Sequence, residues 1–128
     1  MQVAMIGLGR MGMNMAKRLL QGGHEVVAYN RTSTKTEEIV KEGAIGSFSL
    51  TELVDKLTAP RVVWLMLPAG QPVDDHLDQL LELLAPGDIV IDGGNTYYKD
   101  DIRRAAMLTE KAIKFMDVGV SGGIWGLE

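Results

Sequence analysis

The sequence contains no cysteine, which excludes disulfides and thiolate metal sites together. Its two histidines, His24 and His76, lie far apart. Neither has a neighbour at ligand spacing, so both read as surface residues rather than metal ligands. The net charge is −4 and no basic tract is present, which sets aside nucleic acid and anionic membrane as main partners. No apolar run approaches the ~20 residues that a membrane-spanning helix needs. Gly7, Gly9 and Arg10 break up any signal-peptide core, so the cytoplasm is the expected address. Missing too is any grouping suited to covalent or acid–base catalysis: no Ser–His–Asp set, no paired carboxylates, no lysine in an apolar run.

What is present begins in the first dozen residues. A short apolar run, Val3 to Ile6, meets Gly7, Gly9 and Gly12 in the spacing G-x-G-x-x-G, and a helical pattern follows. In that context each glycine has a task. Gly7 permits the tight turn out of the strand, Gly9 leaves backbone room for a pyrophosphate, and Gly12 lets the helix lie close to the strand. The free N–H groups and positive dipole end of the helix then favour phosphate. Gly7, Leu8, Gly9, Arg10, Met11 and Gly12 are therefore the first candidate cofactor-binding residues. The alternative is a glycine-rich turn with no ligand.

The chain has 128 residues, enough for one domain with a core and hardly two. Met15, Ala16, Leu19 and Leu20 form a helical stripe closed by Gly22-Gly23. Glu25 to Tyr29 is a strand, and Ser33 or Thr34 can cap the helix that follows. A weak strand is expected over 44–48 and a short helix over 52–57, capped by Ser49 or Thr51. Arg61 to Leu67 is the clearest strand, apolar throughout as in a parallel strand covered on both faces. The next helix turns Val73, Leu77, Leu80, Leu81 and Leu84 inward. A strand over 88–92, a helix over 98–111 and a strand over 114–118 complete the series. Trp64 falls in a core-type strand, the eight methionines read as core filler, and Asp74, Asp75 and Asp78 read as solvated. Alternating strands and helices specify an α/β, Rossmann-type doubly wound sheet, mostly parallel. Right-handed crossovers place the loops after Ile6, Tyr29, Leu67, Asp92 and Val118 on one rim, where such sheets bind ligands.

The rim loops differ in chemistry. Asn30-Arg31-Thr32 stands where NAD-preferring sites carry an acidic residue for the ribose 2′-hydroxyl. Arginine instead attracts a 2′-phosphate through its planar fork and can stack on adenine, so NADP is the expected cofactor and NAD the alternative. The bland reading of Arg31 is a solvated surface charge. Leu67-Pro68-Ala69 carries no reactive group and reads equally as cofactor lining or as a plain loop. Asp92-Gly-Gly-Asn95 brings a donor and an acceptor to the rim, and Ser121-Gly122-Gly123 reads as an anion cradle or as a linker.

Together, Gly7-Leu-Gly-Arg-Met-Gly12, Asn30-Arg31-Thr32, Ile91-Asp-Gly-Gly-Asn95 and Gly119-Val-Ser-Gly-Gly123 resemble the amino-terminal part of the decarboxylating 6-phosphogluconate dehydrogenases, within the β-hydroxyacid dehydrogenases. The resemblance covers the whole chain in order. It implies that residues 1–128 form an NAD(P)-binding domain whose helical companion domain lies beyond Glu128. It also implies that Leu67, Pro68 and Ala69 line the path to the nicotinamide. Asn95 would touch cofactor and substrate, and Ser121, Gly122 and Gly123 would bind 6-phosphogluconate. No metal is implied, and a homodimer is. The family's lysine base and glutamate acid would lie beyond Glu128, which fits the lack here of a general base for alcohol oxidation. Ile124-Trp-Gly-Leu-Glu128 departs from the long-chain members and resembles a shorter-chain branch in which NAD is also used. Two other readings stay open: a dehydrogenase for hydroxyisobutyrate or tartronate semialdehyde, and a nucleotide-sensing module with no chemistry.

Overall fold

In a computed structural model, which describes residues 2–67, 70–93 and 98–117, strands and helices alternate as the sequence specifies. The order is β1 (Gln2–Ile6), α1 (Arg10–Gln21), β2 (Glu25–Tyr29), α2 (Ser33–Val40), β3 (Ile45–Gly46), α3 (Leu50–Asp55), β4 (Val62–Leu65), α4 (Gln71–Leu83), β5 (Ile89–Asp92), α5 (Tyr98–Thr109) and β6 (Lys114–Asp117). The strands form one sheet in the order β3-β2-β1-β4-β5-β6, and every pairing in it is parallel. This is the doubly wound order whose direction reverses between β1 and β4. The ligand crevice of such a sheet lies above that reversal.

The two-residue period of β1 divides the core. Ala4 and Ile6 face a cluster with Leu53, Val63, Leu77 and Leu80 from α3, β4 and α4. Met5, between them, faces a second cluster with Met13 and Ala16 of α1 and Ile39 of α2. Leu77 and Leu80 are almost wholly buried, each contributing roughly 1.5–3 kcal/mol of apolar transfer free energy. Ser49 caps α3 by accepting the N–H of Glu52 at 3.0 Å, as its position before the helix suggests.

Three expectations change. The strand 61–67 is shorter, Val62–Leu65, and is not covered on both faces. Val62 and Trp64 share a face with Ile89, Ile91 and Met116 by register. That face is half-open, with Met116 50% exposed, because α1 and α2 lie over β1 and β2 while α3, α4 and α5 pack the opposite side. Trp64 is accordingly half-buried at the margin of the α1 cluster rather than deep core. The weak strand over 44–48 contracts to Ile45–Gly46.

Candidate functional site

The glycine loop owes its shape to two close approaches. Gly7 has φ +98, a conformation that favours glycine, and a Cβ there would also collide with the carbonyl oxygen of Met66 on the loop after β4. A Cβ on Gly12 would strike the carbonyl oxygen of Gly7, so α1 can lie this close to β1 only without a side chain at that point. Gly9 differs: a Cβ there would meet nothing within 4 Å. It is the N-cap of α1, with no side-chain cap and no acidic residue in the first turn. The helix therefore begins with unengaged N–H donors and a positive dipole end facing open space. That is the cradle a diphosphate requires, left free by the one glycine of the G-x-G-x-x-G loop whose side-chain space belongs to no neighbour.

The open space is a cleft of ≈ 700 Å³ between the end of β1, the end of β2 and the first turns of α4. Gly7, Gly9, Asn30, Arg31, Thr32 and Leu67 all line it, so three segments far apart in sequence converge as expected. Arg31 is exposed within it, with its planar donors available to an anion. Asn30 lines the cleft, but its carboxamide already has partners. Its Oδ1 accepts the N–H of Leu8 at 2.7 Å and its Nδ2 donates to the Thr32 carbonyl at 3.1 Å. The backbone N–H of Asn30 in turn donates to the buried Thr36 hydroxyl at 3.1 Å. Asn30 thus braces the glycine loop against the end of β2.

Other candidates sit differently. Leu8 is buried in the α1 cluster with its N–H held by Asn30, which makes it an anchor of the loop rather than a lining residue. Gly12 is buried on the sheet-facing side of α1, Arg10 is exposed, and Met11 is half-buried. None of these four lines the cleft. Pro68, Ala69, Asn95, Ser121, Gly122 and Gly123 lie outside the described residues.

One wall of the cleft is not among the residues the sequence marks out. Gln71, Pro72, Asp75, His76 and Gln79 of α4 line the cleft, as does Tyr29. Their spacing, i and i+4 on the polar side of the helix that follows the sheet's reversal, was the available signal. His76 is no ordinary surface residue: its Nδ1 donates to the Pro72 carbonyl at 2.6 Å, and its ring lies 6.3 Å from that of Tyr29. Among the described residues no cluster of three or more metal-ligating side chains occurs, and no helix is long and apolar enough to cross a membrane.

Asp74 also departs from expectation, for it is not merely solvated. It accepts from Nε of Arg104 at 2.9 Å and from Arg103 at 3.0 and 3.1 Å. The Arg104 hydrogen bond is the chief reason that its carboxyl lies below the ordinary aspartate value; burial opposes this and Arg103 adds to it. The period of α4 puts position 74 on its polar side, but the sequence gives no sign of two arginines thirty residues away.

The family model described as the NAD binding domain of 6-phosphogluconate dehydrogenase matches residues 2–128. The chain is 48% identical over 126 residues to the decarboxylating 6-phosphogluconate dehydrogenase of Aggregatibacter actinomycetemcomitans, covering 94% of this chain and 26% of that protein. It is 45% identical over 126 residues to the NADP(+)-dependent, decarboxylating enzyme of Bacillus subtilis (strain 168), covering 95% and 27%. Among solved structures it resembles the Plasmodium falciparum 6-phosphogluconate dehydrogenase, described apo and in complexes with NADP+ and with 6-phosphogluconate. That likeness has a TM-score of 0.83 at 35% identity and covers 90% of this chain and 26% of that one. A Mycobacterium tuberculosis 3-hydroxyisobutyrate dehydrogenase is similar at a TM-score of 0.83 and 27% identity, over 94% of this chain and 42% of that one. The chain spans about a quarter of the length of the 6-phosphogluconate dehydrogenases it matches.

Proposed function

The chain belongs to the family of NAD-binding domains of 6-phosphogluconate dehydrogenase, and we propose that it is the coenzyme-binding domain of an NADP-dependent enzyme of that activity. The parent enzyme would convert 6-phosphogluconate to ribulose 5-phosphate and carbon dioxide in the pentose phosphate pathway. It would act as a cytoplasmic homodimer. The observation that carries this reading is the single cleft that joins the open cap at Gly9 to Arg31. Its two ends are suited to a diphosphate and to a 2′-phosphate, and α4 walls the space between them.

In this reading the first turn of α1 orients the diphosphate through backbone N–H groups. Arg31 meets the 2′-phosphate with paired donors, and Thr32 and Gln79 add polar edges to the adenosine end. Leu67, with Pro68 and Ala69, lies along the way to the nicotinamide end. NADP+, when bound, supplies the acceptor for the hydride that leaves C3 of the sugar acid. Asn95, Ser121, Gly122 and Gly123 are assigned to holding the substrate. The lysine that takes the hydroxyl proton and the glutamate that returns one after decarboxylation are assigned to the remainder of the enzyme. The domain alone should bind dinucleotide and not turn over.

Calorimetric titration of the chain tests this directly. Binding of NADP+ in preference to NAD+ supports the reading, and absence of binding by both removes it. One observation favours a second reading: the backbone likeness to a 3-hydroxyisobutyrate dehydrogenase has the same TM-score as that to a 6-phosphogluconate dehydrogenase. The fold does not separate the two substrates, whereas the higher identity to the latter does so in its favour. Assay of the parent enzyme with 6-phosphogluconate and with 3-hydroxyisobutyrate decides between them.

A further inference from the structure

Arg104 is the largest fully buried side chain among the described residues, and nothing in the proposed chemistry uses it. A buried guanidinium must be paired to be tolerated, and the positions of its partners are informative. Nε donates to Asp74 in the first turn of α4 at 2.9 Å, and Nη2 donates to the carbonyl of Gly70, the N-cap of α4, at 3.3 Å. Nη1 lies 3.9 Å from the carboxylate of Asp92, itself wholly buried at the end of β5. Gly70 directly follows residues 68–69 in the chain, and Asp92-Gly93 directly precede residues 94–97. One buried cation on α5 therefore holds the base of the segment after β4 and the base of the segment after β5 at a fixed separation.

An ion cluster of this kind is a costly way to hold a helix to a sheet, since apolar residues of similar volume commonly do as well or better. What a guanidinium adds is direction. Its planar fork fixes the angle as well as the distance between Gly70 and Asp74 at the start of α4 and Asp92 at the end of β5. The two segments it ties carry Pro68, Ala69 and Asn95, the residues assigned to the nicotinamide end and the substrate. Arg31 follows β2 and the open cap at Gly9 follows β1, whereas Asp92 ends β5, beyond β4 in the sheet order. We propose that Arg104 is a positioning residue: through Gly70, Asp74 and Asp92 it sets the gap into which the nicotinamide half of the dinucleotide fits, without acting on the adenosine half. This rests on the dinucleotide reading above.

The test compares two ligands on the chain as it stands. NADP+ spans both halves of the cleft, and adenosine 2′,5′-bisphosphate occupies only the adenosine end. For Arg104→Lys, which keeps the charge and loses the fork, NADP+ affinity should fall about tenfold, the scale of one misplaced charge-assisted contact. Affinity for adenosine 2′,5′-bisphosphate should stay within about twofold of the parent chain on the same grounds. Equal losses for both ligands, or no loss for either, would overturn the proposal. If Arg104→Lys fails to fold, Asp92→Asn decides, since it keeps the side-chain shape and removes the charge; it should show the same selective loss. Failure of the dinucleotide reading looks different, because the unsubstituted chain would then bind neither ligand, and the Arg104 proposal would fall with it.

Discussion

The carboxamide oxygen of Asn30 accepts the backbone N–H of Leu8 at 2.7 Å, across 22 residues of sequence. This bond ties the tip of β2 to the turn of the glycine loop. It also fills the one acceptor position that a loop N–H so close to the core requires. Specificity for the 2′ end of a dinucleotide and the shape of the diphosphate loop are therefore coupled through one side chain. Arg31 is the next residue in the chain.

Asn30→Ala should cost about 1–2 kcal/mol, the penalty for a part-buried donor left unsatisfied. NADP+ and NAD+ affinities should fall by similar factors, because the diphosphate loop is common to both. Asn30→Asp keeps an acceptor for Leu8 but loses the exposed donor to the Thr32 carbonyl, so it should fold less well than the parent chain yet better than Asn30→Ala, and it sets a carboxylate beside Arg31. It should therefore weaken NADP+ more than NAD+. Urea denaturation with parallel titrations reads both effects, and a fall in stability for Asn30→Asp equal to that of Asn30→Ala would show that the acceptor is not what matters.

Gly9 and Gly12 should separate binding from folding. The Cβ of Gly12→Ala meets the carbonyl oxygen of Gly7, an overpacking that should cost about 1–3 kcal/mol or more as α1 shifts from the sheet. Gly9→Ala meets no protein atom within 4 Å and should lose no more than about 1 kcal/mol, from the poorer cap. Its methyl nevertheless projects into the cradle, so dinucleotide affinity should fall at least about tenfold, some 1.4 kcal/mol. Thermal melts and equilibrium dialysis on the two variants give the comparison. An intact affinity in Gly9→Ala would mean that the diphosphate lies elsewhere.

Arg31→Asp reverses the charge at the adenosine end. Two charge-assisted bonds to a 2′-phosphate would be replaced by repulsion, so NADP+ affinity should fall about a hundredfold or more. Affinity for NAD+, which lacks that phosphate, should change by less than about threefold, since Arg31 is exposed and surface substitutions cost little stability. Competitive titration measures the ratio. Equal losses would mark Arg31 as a support of the loop and not a reader of the phosphate.

Legibility in the sequence followed the range of the interactions. Gly7, Gly9 and Gly12 announce the loop because strand, turn and helix are neighbours in the chain. Val73, Leu77 and Leu80 announce the buried side of α4 because helical periodicity is local. Arg31 was found through its position after the second strand, which topology alone fixes. Asp75, His76 and Gln79 were not found as a wall of the cleft, because that depends on how α4 docks against β1, and polar residues on a helix are ordinarily solvated. The pairing of Asp74 with Arg104 was invisible for the same reason. Trp64 misled because an apolar strand says nothing of which helices cover each of its faces.

Asp74 gives the fold a predictable weakness in acid. Its carboxyl lies below the ordinary value of 3.8 in the folded chain, so the folded state favours the carboxylate more than the unfolded state does. The stability this supplies is fully present above the unfolded value and is lost as pH falls through the lowered, folded one. At neutral pH, Asp74→Asn should destabilise by about 2 kcal/mol, less than the loss of a fully buried ionic partner, because its side chain is 25% exposed and Asp92 still faces Arg104. As pH falls below the unfolded value of 3.8 the gap should narrow, and it should close only below the lowered, folded value, where protonation leaves the original side chain as neutral as the amide. Urea midpoints from pH 7 downward check the sign as well as the size. A gap that widened on acidification would mean that Asp74 is protonated more readily in the folded state, contrary to its contacts with Arg103 and Arg104.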